Sequence, residues 1–131
     1  KAEDSYAVLD QTREHVKDIL RVLKLPVRIL TQCGGDLVCS SALTYDFEVF
    51  STAQDRWLEI SSVSNFETFQ ANRLKLRFKN SDGKNELAHT LNGSSLALPR
   101  ILASILENYQ TPEGIKVPKV LVPYCGFEMI N

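Results

Sequence analysis

Two stretches with a two-residue repeat, separated by a polar break, constrain this chain more than any other feature. Tyr45-Asp46-Phe47-Glu48-Val49-Phe50 alternates apolar with polar, and so does Trp57-Leu58-Glu59-Ile60-Ser61-Ser62. Successive side chains of a strand point to opposite faces, so each stretch has one side for a core and one for water. The link between them, Ser51-Thr52-Ala53-Gln54-Asp55, is too short for a helical crossover. It predicts an antiparallel hairpin, because parallel strands need a longer connection. With Tyr45, Phe47 and Val49 toward the core, Asp46 and Glu48 share the other face, where Glu48 and Glu59 can approach one another. Two carboxylates held close repel unless a cation or an ammonium group lies between them.

The elements around this hairpin follow from periodicity and punctuation. Asp4 or Ser5 is placed to cap a helix running to about Leu23, with Leu9, Val16, Ile19, Leu20 and Leu23 on one stripe. Pro26 stops it, and Val27–Leu30 reads as a short strand. From Gln32 to Leu43 no period is visible, with a turn at Gly34-Gly35-Asp36, and a loop of about a dozen residues suggests more than a connection. Asn65 is expected to cap a helical turn through Phe66–Asn72. Leu74, Leu76 and Phe78 then alternate with Lys75, Arg77 and Lys79 as a third strand, and a fourth spans about Glu86–Asn92 after a turn at Asn80–Gly83. Gly93-Ser94-Ser95 opens a second helix that buries Leu98, Ile101, Leu102, Ile105 and Leu106. Pro99 falls in its first turn, where a missing N–H costs little. Gly114, Pro118 and Pro123 punctuate an extended C-terminal segment. The expected architecture is a single α/β domain over residues 1–131, of the α+β type: a mainly antiparallel sheet flanked by helices.

Composition narrows the function classes. Fifteen Lys and Arg oppose sixteen Asp and Glu, a net charge of -1, so no global field draws the chain to nucleic acid or to an anionic membrane. Apolar runs are only a few residues long, which excludes a membrane-spanning helix, and Lys1-Ala2-Glu3-Asp4 has no signal-peptide character. Cys33, Cys39 and Cys125 are an odd set without a CxxC pair, which argues against a disulfide framework and a zinc site and fits a reducing cytoplasm. His15 and His89 stand alone, no Gly-Lys-Ser/Thr follows Gly34-Gly35, and no GxSxG surrounds a serine. The basic row Lys75, Arg77 and Lys79 has no aromatics on its face and reads as a solvated edge.

Two segments carry chemistry. Glu59-Ile60-Ser61-Ser62 offers a carboxylate and hydroxyls, the hard oxygen donors that Mg²⁺ takes alongside substrate phosphates. In a regular strand Glu59 and Ser61 share a face, and Ser62 joins Glu59 only if the strand ends or bulges. Alone, the tetrapeptide reads more simply as a solvated strand face. Asn92-Gly93-Ser94-Ser95-Leu96-Ala97-Leu98-Pro99-Arg100 leads into a helix start, whose free N–H groups suit phosphate. Arg100 adds a planar fork of donors; the plainer reading is a capped helix with an exposed arginine.

Taken in order, these segments resemble a known family. Glu59-Ile60-Ser61-Ser62-Val63-Ser64-Asn65, Phe69-Gln70-Ala71-Asn72-Arg73, His89-Thr90-Leu91-Asn92-Gly93-Ser94 and Glu107-Asn108-Tyr109-Gln110 resemble the C-terminal part of the seryl-tRNA synthetases. Gly35-Asp36-Leu37, Tyr45–Val49, Val117-Pro118 and Val122-Pro123-Tyr124 match in the same order. The resemblance implies part of a class II aminoacyl-tRNA synthetase catalytic domain, an antiparallel sheet flanked by helices. It implies an enzyme that activates L-serine with ATP and transfers it to tRNA(Ser), as a cytoplasmic homodimer that reaches tRNA through a helical arm upstream of this segment. By the same resemblance, Asn92–Arg100 is motif 3, with Arg100 on the γ-phosphate of ATP. Glu59 and Ser62 are implied as ligands of the Mg²⁺ or Mn²⁺ that bridges the phosphates, and Asn92 and Ser94 as lining for the serine pocket. Motifs 1 and 2 and the arm are expected upstream of Lys1, so the segment alone is expected to be inactive. Val38, Leu43, Val63 and Asn72 stand where the family often has Gly, Lys, Cys and Arg. Val38 and Leu43 support the alternative expectation, a synthetase-like binding or regulatory module without catalysis.

Overall fold

A computed structural model describes residues 1–131. The chain begins with helix α1 (Ser5–Val22). Leu9, Val16, Leu20 and Leu23 are buried as the stripe predicts, but Ile19 is 43% exposed and lies off it. Neither expected cap operates through its side chain on the helix: Asp4 is the N-cap without a side-chain bond. The Ser5 hydroxyl turns inward instead, 2.8 Å from His89 Nδ1. Lys24 at φ 52° turns the chain, and Pro26 leads into β1 (Val27–Thr31).

The loop from 32 to 42 precedes β2 (Leu43–Ser51) and β3 (Arg56–Asn65), the expected hairpin with both strands longer than the alternation indicated. Asn65 ends β3 and does not cap a helix. Its Oδ1 accepts from the Glu67 N–H at 2.9 Å, and α2 (Phe69–Leu74) starts later. The third strand is shorter than expected and displaced. Leu74 closes α2, Lys75 takes a left-handed conformation at φ 56°, and only β4 (Arg77–Lys79) is extended. It pairs with β5 (Asn85–Leu87) in a separate two-stranded sheet. The expected fourth strand is therefore two: β5, and β6 (Leu91–Gly93), which joins β3.

Helix α3 (Leu98–Asn108) begins five residues after Gly93, so Gly93-Ser94-Ser95 is approach rather than helix. Of its expected buried face, Ile101 is buried at 6%, whereas Leu98 and Leu102 are exposed. The C-terminal segment is not simply extended: β7 (Gln110–Thr111), β8 (Gly114–Lys116) and β9 (Met129–Ile130) form a small sheet, with helix α4 (Val122–Cys125) before β9.

The main sheet has the order β1-β2-β3-β6, antiparallel throughout. Helices α1 and α3 pack on one face of it. Phe47, Val49, Ile60 and Val63 meet Leu9, Val16, Leu20 and Ile101 there. Tyr109 of the α3 end donates its hydroxyl to the Leu23 carbonyl at 2.7 Å, tying the two helices. Helices α1 and α3 leave the other face of the sheet open. No helix in the chain is long and apolar enough to cross a membrane, and Cys33, Cys39 and Cys125 are free and exposed.

Candidate active site on the open sheet face

A single irregularity in β3 determines which side chains meet. Phe47 pairs with Ser61, but the next residue, Glu48, pairs with Glu59, so Ile60 has no partner of its own. An extra residue in one strand of an antiparallel pair is a β-bulge, and it changes the parity of the strand. Glu59 and Ser62, three apart, therefore come to one face, beside Glu48 and Asp46, their cross-strand partners. Ile60 and Ser61 both turn to the core and are buried. The strand geometry that would have shown Glu59 with Ser61 is thus corrected in favour of Glu59 with Ser62.

The remaining residues arrive from β6 and α3. Asn92 pairs with Ser64 and Gly93 with Val63. The Ser62 N–H donates to Ser94 Oγ at 3.3 Å, and the Ser94 N–H to the Ser62 carbonyl at 3.0 Å. Ser61 donates its hydroxyl to the Ser94 carbonyl from the core side. Helix α3 then brings Arg100 back across β3, where its Nη1 donates to the Glu59 carbonyl at 2.6 Å. The five residues singled out in the sequence, Glu59, Ser62, Asn92, Ser94 and Arg100, are brought together at one corner of the open face. They form a shallow surface. The roomier clefts lie elsewhere, one of about 370 Å³ between Cys39–Ala42 and the Phe66–Arg73 segment.

Gly93 makes this corner possible. A Cβ there would lie 2.6 Å from Val63 Cγ1 and 2.9 Å from the Ser62 carbonyl oxygen. Backbone cannot yield as a side chain can, so β6 would have to leave β3. Gly93→Ala is expected to cost about 1–3 kcal/mol, the usual range for forced overpacking. Urea unfolding measures it; a loss below about 0.5 kcal/mol would show that β6 shifts freely.

Sequence reasoning set Asp46 and Glu48 on this face, but it did not find Arg28 or Gln32. Arg28 on β1 lies 2.5 Å from Glu48 and 4.4 Å over the Trp57 ring, so the Glu48 carboxylate is paired and held aside. Gln32, from the loop without periodicity, donates to the carboxylate of Asp46, which is almost fully buried. Alternation had marked Asp46 as outward, but nothing in the sequence marked Gln32. The Glu59 carboxyl titrates above its ordinary range, through desolvation first and then the nearby charge of Asp46; Arg100 opposes the shift and Glu48 adds to it. Neither the Glu59 carboxylate nor the Ser62 hydroxyl is engaged by another protein group. Two uncommitted oxygen donors on one face, with negative charge in excess, fit a hard divalent cation.

The chain matches known proteins along its length. The family model for the tRNA synthetase class II core domain (G, H, P, S and T) matches residues 1–109. The chain belongs to this family. Serine–tRNA ligases of Chlorobium phaeovibrioides and Chromobacterium violaceum are each 52% identical to this class II core across its whole length. It spans 31% of either one. Among solved structures, seryl-tRNA synthetase from Pyrococcus horikoshii complexed with ATP superposes with TM-score 0.92 at 33% identity, over 100% of this chain and 30% of that one. Cytoplasmic serine–tRNA ligase from Naegleria fowleri in complex with AMP gives TM-score 0.88 at 31% identity, over 97% of this chain and 30% of that one. The antiparallel class II architecture expected from the sequence is therefore present.

The raised Glu59 titration has a measurable consequence in this class II core. A carboxyl that holds its proton more tightly when folded gives stability that falls as pH rises from the unfolded value through the raised folded one. Removing the charge removes that loss. Glu59→Gln is expected to melt at a higher temperature than the unchanged chain at neutral pH, with the difference vanishing below about pH 4, where both side chains are neutral. Parallel thermal melts check it, and a lower midpoint at neutral pH would contradict it.

Proposed function

We propose that the protein is a serine–tRNA ligase, and that this chain carries the cation ligands and the phosphate-binding arginine of its active site. One observation carries the reading: the bulge at Ile60 turns Glu59 and Ser62 to one face, and α3 sets Arg100 directly against Glu59. The names and bound nucleotides of the relatives support it. Val38 and Leu43 motivate a non-catalytic module, but all five site residues are present and gathered, which favours the ligase.

In this reading, one carboxylate oxygen of L-serine attacks the α-phosphorus of ATP in line. A P–O bond to serine forms, the bond to the bridging oxygen breaks, and pyrophosphate leaves with seryl-adenylate behind. Charge grows on the phosphate oxygens, so positioning and fixed positive charge supply the acceleration. Arg100, aimed by its bond to the Glu59 carbonyl, presents its remaining N–H groups to the γ-phosphate. Glu59 and Ser62 would hold Mg²⁺ or Mn²⁺, which when bound would screen the triphosphate's charge. Ser94 accepts from the Ser62 N–H and so keeps its own hydroxyl proton free for a ligand. With Asn92 it lines the pocket for the serine hydroxyl. Such a site rejects alanine, because its polar groups would be left unpaired. The second step passes serine to tRNA(Ser), which the protein engages through an N-terminal helical arm as a cytoplasmic homodimer.

The test is ATP–pyrophosphate exchange without tRNA, on the protein at the full length of its relatives. Serine should support exchange and alanine should not; no exchange with serine, or equal exchange with both, would refute the assignment. The 131-residue chain alone is expected to show none, because Arg100 is the one guanidinium on the open face of the corner that is not already paired to a carboxylate.

A further inference from the structure

Asp46 is 8% exposed, yet only one of its oxygens is satisfied. Oδ2 accepts from Gln32 Nε2 at 2.5 Å. Oδ1 is buried without a partner, and so is Gln32 Oε1. Two acceptors are thus withdrawn from water with no donor between them, and no cation of the protein pairs with the carboxylate. Burying a charge in that state is costly, and native proteins keep it where something else completes it. What lies beside it identifies the missing component. Asp46 is the cross-strand partner of Ser62 and shares a face with Glu59. The one arginine on this side of β2, Arg28, is committed to Glu48.

We infer that Asp46, oriented by Gln32, is a positioning residue for the divalent cation: it supplies a negative charge and a hydrogen-bond acceptor just outside the ligand set of Glu59 and Ser62. This rests on the reading that those two residues hold the ion. Mg²⁺ gives up its water reluctantly and is held through one or two carboxylates, so acceptors behind the ligands are needed for the water it keeps. Partners of that kind typically govern affinity by 10–100-fold.

The inference separates cation affinity from stability. Asp46→Asn keeps the shape, removes the charge and puts an amide N–H donor in place of one carboxylate oxygen, beside the orphaned Gln32 Oε1. In the protein at full length, with a non-hydrolysable ATP analogue present, Mn²⁺ binding followed by electron paramagnetic resonance should weaken by about 10–100-fold. The metal-free melting temperature should hold or rise. Gln32→Leu, which keeps the charge but frees the carboxylate, should weaken Mn²⁺ binding by a smaller factor; it is the second variant should Asp46→Asn not fold. A purely structural Asp46 would give the reverse, lower stability with unchanged Mn²⁺ affinity, and would overturn the inference. So would weakened serine binding with Mn²⁺ affinity intact, the mark of an ammonium ligand. If the unsubstituted protein and Glu59→Gln bind Mn²⁺ alike, the reading of Glu59 and Ser62 fails first. If Glu59→Gln loses Mn²⁺ while Asp46→Asn does not, only the present inference fails.

Discussion

Arg100→Ala is expected to slow serine-dependent pyrophosphate exchange by about 10²–10³-fold, the range for losing one fixed donor aimed at developing charge. The guanidinium is exposed and bonds only the Glu59 carbonyl, so its removal leaves the fold intact and the loss falls on the reaction. That bond is why the effect should be large. An arginine free to wander would have to be ordered by each incoming triphosphate, whereas this one is held in place beforehand. Arg100→Lys keeps the charge but not the planar fork, and one ammonium cannot serve both the carbonyl and a phosphate with the same geometry. It should fall between the two. Rates for Arg100→Ala within twofold of the unsubstituted protein, with unchanged circular dichroism, would remove Arg100 from the active site.

The second large effect concerns the sheet itself. Phe47 is fully buried at the centre of β2, between Ile29 on β1 and Ser61 on β3, within the cluster that α1 and α3 complete. Phe47→Ala is expected to cost about 3–5 kcal/mol, from lost transfer energy and the cavity left behind. Domains of this size have only about 5–15 kcal/mol in total, so much of the chain would unfold at modest temperature. Denaturant melts should show the midpoint falling with the slope little changed. A cost below about 1 kcal/mol would mean that Phe47 is not the centre of the core. The same strand carries Asp46 and Glu48 on its other side, so the apolar layer and the charged layer stand or fall together.

How much of this was legible in the sequence depended on how local the cause was. The hairpin was, because Phe47, Val49 and Ile60 alternate with charged neighbours and nothing else explains the pattern. Helix α1 was, apart from Ile19, whose angular position lies just beyond the edge of the buried stripe. Residue chemistry marked Glu59, Ser62 and Arg100, and the family resemblance added Asn92 and Ser94 and implied a shared site, but the geometry that joins them was not legible. Glu-Ile-Ser-Ser looks the same with or without a bulge, and only pairing with β2 shows that Ile60 is the extra residue. Leu74, Leu76 and Phe78 had a strand's alternation, yet the left-handed turn at Lys75 broke the run and sent β4 to a separate sheet. Gln32 gave no signal at all, since its role depends on Asp46 fourteen positions later.

The unpaired Ile60 has a bearing on how such a chain can change over time. Substitution around it alters one contact at a time, and a chain can drift through many of those. Gain or loss of one residue between Glu59 and Ser62 would instead swing one of their side-chain oxygens into the hydrophobic layer, whatever its chemistry. Descent should therefore guard the length of this short span more strictly than its spelling.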